Sequence, residues 1–434
     1  MRTTSVISLC PITNTKLHKL TLHLLNENKL SKIPIEIIYV IMDMLNVNDL
    51  QHLSWTCRSM CHVARKYHFG IVSPMWEPAV ISNFHEIPIS NYRDGVWFNH
   101  VFYLPVFYKE SSICWILDLT GKPIKWVQKP LKFKSTSKSR YEPIRHYAAA
   151  AIKNLIYIFG GENIYKGVTT NVFYELNVYT FELQILNEND ENIPSPRMMH
   201  TLDAIDYHRL AMFGGRSSIF NDDKEFAFDS KDFAIYNTKT KNWTCYNNET
   251  PNIPYRRSLH SSFVMNEKLY IYGGQQSKYF SNSSQVHDDE DISVFDFNQD
   301  KWYKLLSPPD EGKSLSMLLP SDWIMTSCIN RISKPGKRMC VAMFTMHNRI
   351  AILGGSKGVN WNNEEESRPW ELMCFLSNAK HNWEHIRIRN LPQIEILTFY
   401  RDGWNILDGV FLIGRDKNEG NLIMGWVKDS THFL

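Results

Sequence analysis

Six arginines carry the most regular chemistry in this sequence. Arg145, Arg197, Arg256, Arg257 and Arg338 stand just ahead of short apolar stretches, and Arg216 directly follows a pair of glycines. A guanidinium fork fits carboxylates and phosphates and stays charged throughout the physiological pH range. Recurrence at one place in a repeated unit would bring four or five such forks to a common height. Two uses compete. The arginines could hold an acidic or phosphorylated segment of another protein, or they could tie neighbouring units together through main-chain carbonyls. His200 and His260, each three residues beyond an arginine, fit a structural role.

The other reactive residues point to no bond-making chemistry. There is no Gly-x-Ser-x-Gly elbow, no Walker loop and no His-Glu-x-x-His helix. Eight cysteines lie scattered without a Cys-x-x-Cys pair, and in a chain this large they read as reduced core thiols. Cys57 and Cys61 share a helical face beside His62, but no second pair completes a zinc set. No metal and no cofactor is expected. Asp288–Asp291 and Glu364–Glu366 read as solvated acidic loops, and Lys132–Arg140 as a basic linker.

Composition narrows the partners. With 434 residues, 43% hydrophobic and 21% charged, the chain suits a folded protein with one large domain and one small one. A net charge of +3 gives no global argument for nucleic acid. No apolar run reaches the roughly 18 residues that span a bilayer, so no membrane association is expected. Without a secretory signal, the expected location is cytoplasmic and/or nuclear.

The arginines belong to a repeat. Ile156–Gly161, Leu210–Gly215, Leu269–Gly274 and Ile350–Gly355 are each four apolar residues followed by two glycines. The second glycines stand at 161, 215, 274 and 355, in steps of 54, 59 and 81. Val410–Gly414 is a weaker copy. A period near fifty is the signature of a radial β array. Each unit offers a first strand after the arginine, a polar turn, the glycine-ended strand, a third strand and a later aromatic (Phe181, Trp243, Trp302, Trp383). Four strands make one twisted sheet, and the late aromatic packs it on a neighbour.

Residues 30–76 change period. Ile33, Ile37, Ile41, Met42 and Leu45 fall on one helical face, with Pro34 in the first turn. Asp49 can cap a second helix whose stripe includes Leu50, Leu53 and Cys57. So small a module needs a partner for its apolar face, either another protein or the rest of this chain.

These patterns resemble two known families. The order Leu30, Ile33-Pro34, Ile37, Ile41-Met42, Leu45, Asp49-Leu50, Leu53, Cys57-Arg58 resembles an F-box, with Met60 where that family usually has Trp. The double-glycine units with a later Trp resemble kelch repeats, which close into a β-propeller. The resemblance implies a mainly β fold: a kelch-type propeller over 77–434, with six blades favoured over seven. A small all-α F-box module would precede it at 30–76, after a leader at 1–29. Degenerate units at Val101–Val127 and Leu397–Val427 complete the six, and a segment near Ala79–Ile89 is expected to close the ring. The 81-residue step leaves an excess at Ser307–Lys337, either a long loop or a cryptic strand pair.

The F-box resemblance implies docking to a Skp-type adaptor, and through it to a cullin–RING ubiquitin ligase. Ile33, Pro34, Ile37, Ile41, Met42, Leu45, Leu50, Leu53 and Cys57 would make that contact. The propeller face would hold a protein client, with the six arginines as candidate contacts. The chain would be a substrate receptor and no enzyme itself. A kelch interaction scaffold outside any ligase, or less readily a propeller enzyme, remains as the alternative.

Overall fold

The fold was examined in a computed structural model. It describes residues 75–82, 95–108, 112–134, 141–186, 192–221, 224–246, 250–277, 284–286, 291–305, 329–331, 338–346, 349–355, 372–376, 383–401 and 409–428. The helical module expected at 30–76 lies outside these residues except for its last two positions.

Among the described residues there are six sheets of four or five strands and three two-stranded ones. The second sheet shows the common plan. Ala148–Ile152 is innermost, then Leu155–Phe159, Phe173–Asn177 and Glu182–Ile185, all antiparallel. The third sheet (Thr201–Ala204 to Asn242–Tyr246) and the fourth (Ser261–Met265 to Lys301–Leu305) repeat it strand for strand. The glycine-ended strand always sits second, buried on both faces, which is why it reads as an unbroken apolar run.

Each hairpin has its own turn chemistry. Asn266 and Glu267 both take positive φ, as a two-residue hairpin turn requires. After the third strand the side chains of Asn177, Asn237 and Asp296 each accept two main-chain N–H bonds, closing the same turn three times.

The sheets stand as blades around one axis, because the apolar clusters run from each blade into the next. Phe107 and Cys114 of the first blade pack with Ile156 and Ile158 of the second. Trp243 of the third lies against Phe159 and Phe173 of the second, both at 5.3 Å. Trp302 of the fourth meets Phe213 and Phe233 of the third at 5.5 and 5.1 Å. The fifth (Ala342–Met346 to Trp383–Arg387) joins the fourth through Val341 and Ile352, and the sixth (Ile394–Arg401 to Leu422–Lys428) through Phe344 and Phe399. Phe102, Leu104, Leu397 and Phe411 then join the first blade to the sixth. Trp243 and Trp302 thus seal blade to blade, as the sequence suggests.

Several expectations need correction. The ring is closed by Met75–Pro78, which pairs antiparallel with Leu422–Lys428, and not by a strand within Ala79–Ile89. Trp76 anchors it, only 7% exposed, with its ring over Gly425. A domain boundary at 76/77 therefore falls inside a strand. Ile81–Ser82 goes instead to the first blade, parallel to Ile124–Pro130. Gly414 does not end a strand. Val410–Asp416 runs straight through it, and the facing strand bulges between Ile396 and Thr398. Phe181 sits in a turn at φ 57°, so Leu183 fills the blade where the other units use Trp. Lys132–Phe133 is an edge strand parallel to Glu182–Leu183 rather than a free linker. Within 307–337, Ile329–Arg331 adds a fifth strand beside Trp383–Arg387.

Candidate functional site

The arginines face two tasks, and burial separates them. Arg197 and Arg257 are fully buried and Arg338 is 4% exposed. Arg197 Nη1 donates to the Gly214 carbonyl at 2.9 Å, Arg257 Nη1 to Gly273 at 3.0 Å, and Arg338 Nη1 to Gly354 at 3.1 Å. Their own carbonyls accept the amides of Gly161, Gly215 and Gly274 in the preceding blades, at 2.7, 2.9 and 3.0 Å. Each arginine is therefore a clamp. Its side chain ends the second strand of its own blade, and its main chain takes the end of that strand in the blade before. Burial lowers the Arg197 pKa, and Asp232 at 2.7 Å offsets part of that. These three guanidinium groups are committed to the scaffold and do not reach a client, which corrects the expectation for Arg197, Arg257 and Arg338.

The glycines answer the same constraint. Gly273 has φ 68°, and a Cβ there would be driven into the Arg338 carbonyl oxygen. The clamp and the double glycine are two halves of one joint.

The histidines complete it. The His200 ring meets Phe159 edge-on at 5.5 Å, and the His260 ring meets Phe213 at 5.3 Å, each in the preceding blade. His260 Nε2 shares a hydrogen bond with Thr201 Oγ1 at 3.0 Å. Burial, aided by the Arg197 charge, holds His200 well below its ordinary pKa. Just before the first strand of each of the second to fifth blades, His146, Met199, Leu259 and Cys340 all take left-handed φ near 55°. Met199 N donates to His146 O, Leu259 N to Met199 O and Cys340 N to Leu259 O, at 3.2, 3.1 and 3.0 Å. These bonds run head to tail from blade to blade.

The other three arginines differ. The Arg145 side chain is 53% exposed and pairs with Glu162 at 2.7 Å, which raises its pKa. Arg216 and Arg256 are partly exposed. Arg145 and Arg216 sit beside the glycine loops. Arg145 pairs with Glu162–Asn163 there, and Arg216 starts a hairpin, Arg216–Asn221 with Lys224–Asp229. Of the six arginines, these three are the ones that are not buried. The candidate adaptor contacts from Ile33 to Cys57 lie outside the described residues.

The axis holds a second candidate site, which the sequence reading passed over. The innermost strands of all six blades enclose a cavity of about 390 Å³. Asp203 and Ser262 line one side, and Ser262 Oγ donates to Asp203 Oδ2. Trp97, Phe399 and Tyr400 line another, with Trp97 stacked on Tyr400 at 4.9 Å and its indole N–H on Thr398 Oγ1 at 3.1 Å. Four of the first strands were legible in the sequence, whereas Val96–Phe98 was not. Which of their residues turn toward the axis depends on blade tilt, and no spacing encodes that. Cys114 is a buried thiol whose pKa burial pushes up to about 12, whereas Cys245 is exposed and Cys340 partly so, so not every cysteine is a core thiol. Among the described residues no three His, Cys, Asp or Glu side chains gather as metal ligands.

Comparison with known proteins supplies the lineage. Tip elongation aberrant protein 1 of Schizosaccharomyces pombe is 27% identical over 248 residues, 57% of this chain and 18% of that protein. Tip elongation aberrant protein 3 of the same organism is 22% identical over 236 residues, 54% of this chain and 20% of that protein. N-(sulfonatooxy)prop-2-enimidothioate sulfolyase of Thlaspi arvense is 24% identical over 178 residues, 40% of this chain and 47% of that enzyme. The chain spans less than half the length of each of these relatives. The KLHDC2/KLHL20/DRC7 Kelch-repeats domain matches residues 145–395, the stretch that holds all three arginine–glycine clamps. By that match this chain belongs to the kelch-repeat family.

Proposed function

We propose that this chain is the client-recognition subunit of a Skp–cullin–F-box ubiquitin ligase, working in the cytoplasm or nucleus. The observation that carries the reading is the order of parts in one chain. An F-box-like pattern from Leu30 to Arg58 precedes a kelch domain, and kelch propellers are typically non-catalytic interaction domains. Residues 30–70 dock the Skp-type adaptor, and the propeller holds a protein client. The chain makes and breaks no bond itself. It raises the local concentration of client lysines beside the charged conjugating enzyme. Arg145, Arg216 and Arg256 are the client contacts suited to an acidic or phosphorylated segment.

A second reading is a kelch interaction scaffold outside any ligase. The similarity to the two tip elongation aberrant proteins of Schizosaccharomyces pombe favours it. Purification of the tagged full chain separates the two. A stoichiometric Skp subunit, lost on Ile37→Asp with Leu50→Asp while clients stay bound, supports the receptor. Clients retained with no Skp subunit on the unaltered chain would leave the scaffold.

A further inference from the structure

The axial cavity has two kinds of wall. Among its lining residues Asp203 carries the only carboxylate, and none is a lysine or arginine. His200, the one other titratable ring along it apart from Tyr400, is buried and neutral. A hydroxyl donor such as Ser262 orients the Asp203 carboxylate without cancelling its charge, and a carboxylate has about four lone-pair sites to offer. Across the axis stand the faces and edges of Trp97, Phe399 and Tyr400, with Phe344 in contact with Phe399. Aromatic π-faces attract cations and repel anions. At about 390 Å³ the space lies within the range of small-ligand pockets.

We propose that the axial cavity binds an organic ammonium group carried on an apolar stem. The cation is held by Asp203 and the stem lies against Trp97 and Tyr400. Ser262 fixes the carboxylate, and the Trp97–Thr398 hydrogen bond fixes the indole plane. The site is opposite in charge preference to the arginine face. A lysine side chain presented by another protein and a free amine share this chemistry. The inference does not depend on whether the chain joins a ligase.

The test is isothermal titration calorimetry on the full chain with four probes: phenethylammonium, a doubly blocked lysine tripeptide, 2-phenylethanol and phenylacetate. One or both cations bind, while the neutral and anionic isosteres do not. Asp203→Asn weakens cation binding about tenfold or more, and Asp203→Glu restores most of it. Binding of the tripeptide alone identifies a protein side chain as the source, and binding of phenethylammonium alone a free amine. The proposal fails if neither cation binds, or if 2-phenylethanol binds as tightly as its ammonium counterpart. The isostere comparison uses the unaltered chain, so it stands even if Asp203→Asn fails to fold. An Asp203→Asn protein that unfolds at the normal temperature and binds the cation unchanged also overturns it.

Discussion

The guanidinium of Arg257 donates to the Gly273 carbonyl from 3.0 Å, while the Arg257 carbonyl accepts the Gly215 amide of the preceding blade at 2.9 Å. One residue thus closes two strands in two blades. Replacing it by methionine keeps the stem but orphans a buried carbonyl, a loss of about 2–3 kcal/mol. Lysine recovers little of this, because one compact ammonium cannot reproduce the fork. Urea unfolding of Arg257→Met and Arg257→Lys checks both. Arg145→Ala, whose pair with Glu162 is half exposed, changes the midpoint by about 0.5 kcal/mol or less.

Gly273 and Gly420 both take φ near 70°, yet only Gly273 is crowded, by the Arg338 carbonyl. Gly420→Ala carries only the left-handed backbone penalty, about 1 kcal/mol. Gly273→Ala adds a clash with main chain that cannot swing away, and is expected to cost at least about 3 kcal/mol. Thermal unfolding of the two variants side by side separates backbone preference from close approach.

Trp302 is 2% exposed and touches Phe213, Phe233 and Phe295. Removing it opens the seam between the third and fourth blades. Trp302→Ala is expected to cost about 3–5 kcal/mol. Val80→Ala, at a side chain 90% exposed, leaves the urea midpoint within about 0.5 kcal/mol of the parent.

Acid acts on the histidines. His200 is held neutral in the fold, its pKa well below the unfolded value, and His146 is lowered by burial and by Arg145. At neutral pH neither state binds the proton and no stability is lost. As pH falls below about 6.5 the unfolded chain gains protons that folded His200 refuses, so stability drops by up to about 1.4 kcal/mol per pH unit. Unfolding midpoints between pH 7 and pH 5 should therefore fall, and His200→Gln should flatten the slope. An unchanged slope would remove His200 from the account.

Much of the architecture was legible because it repeats. Four apolar residues before two glycines mark a strand buried on both faces, and the fold places each such strand second in its blade. The clamps were half legible. Spacing located Arg197, Arg257 and Arg338 together, but spacing cannot tell a guanidinium turned toward a carbonyl from one turned toward solvent. The sheet edges were the hard part. Met75–Pro78, Ile81–Ser82 and Lys132–Phe133 are two to four residues long and take their conformation from the strand beside them. Gly414 misled for a related reason: a bulge in the facing strand lets it lie mid-strand. Asp203 and Ser262 meet across 59 residues and two blades, a proximity set by the ring rather than by either segment.

The seam made by Met75–Pro78 also sets where the chain enters the ring. It is the outermost strand of its blade, and Lys428 Nζ bonds Glu77 across it. A polypeptide arriving at Met75 reaches the ring at the outer edge of a blade. A pull on that polypeptide loads the four residue pairs of this seam, Met75–Pro78 against Gly425–Lys428, before the rest of the blade.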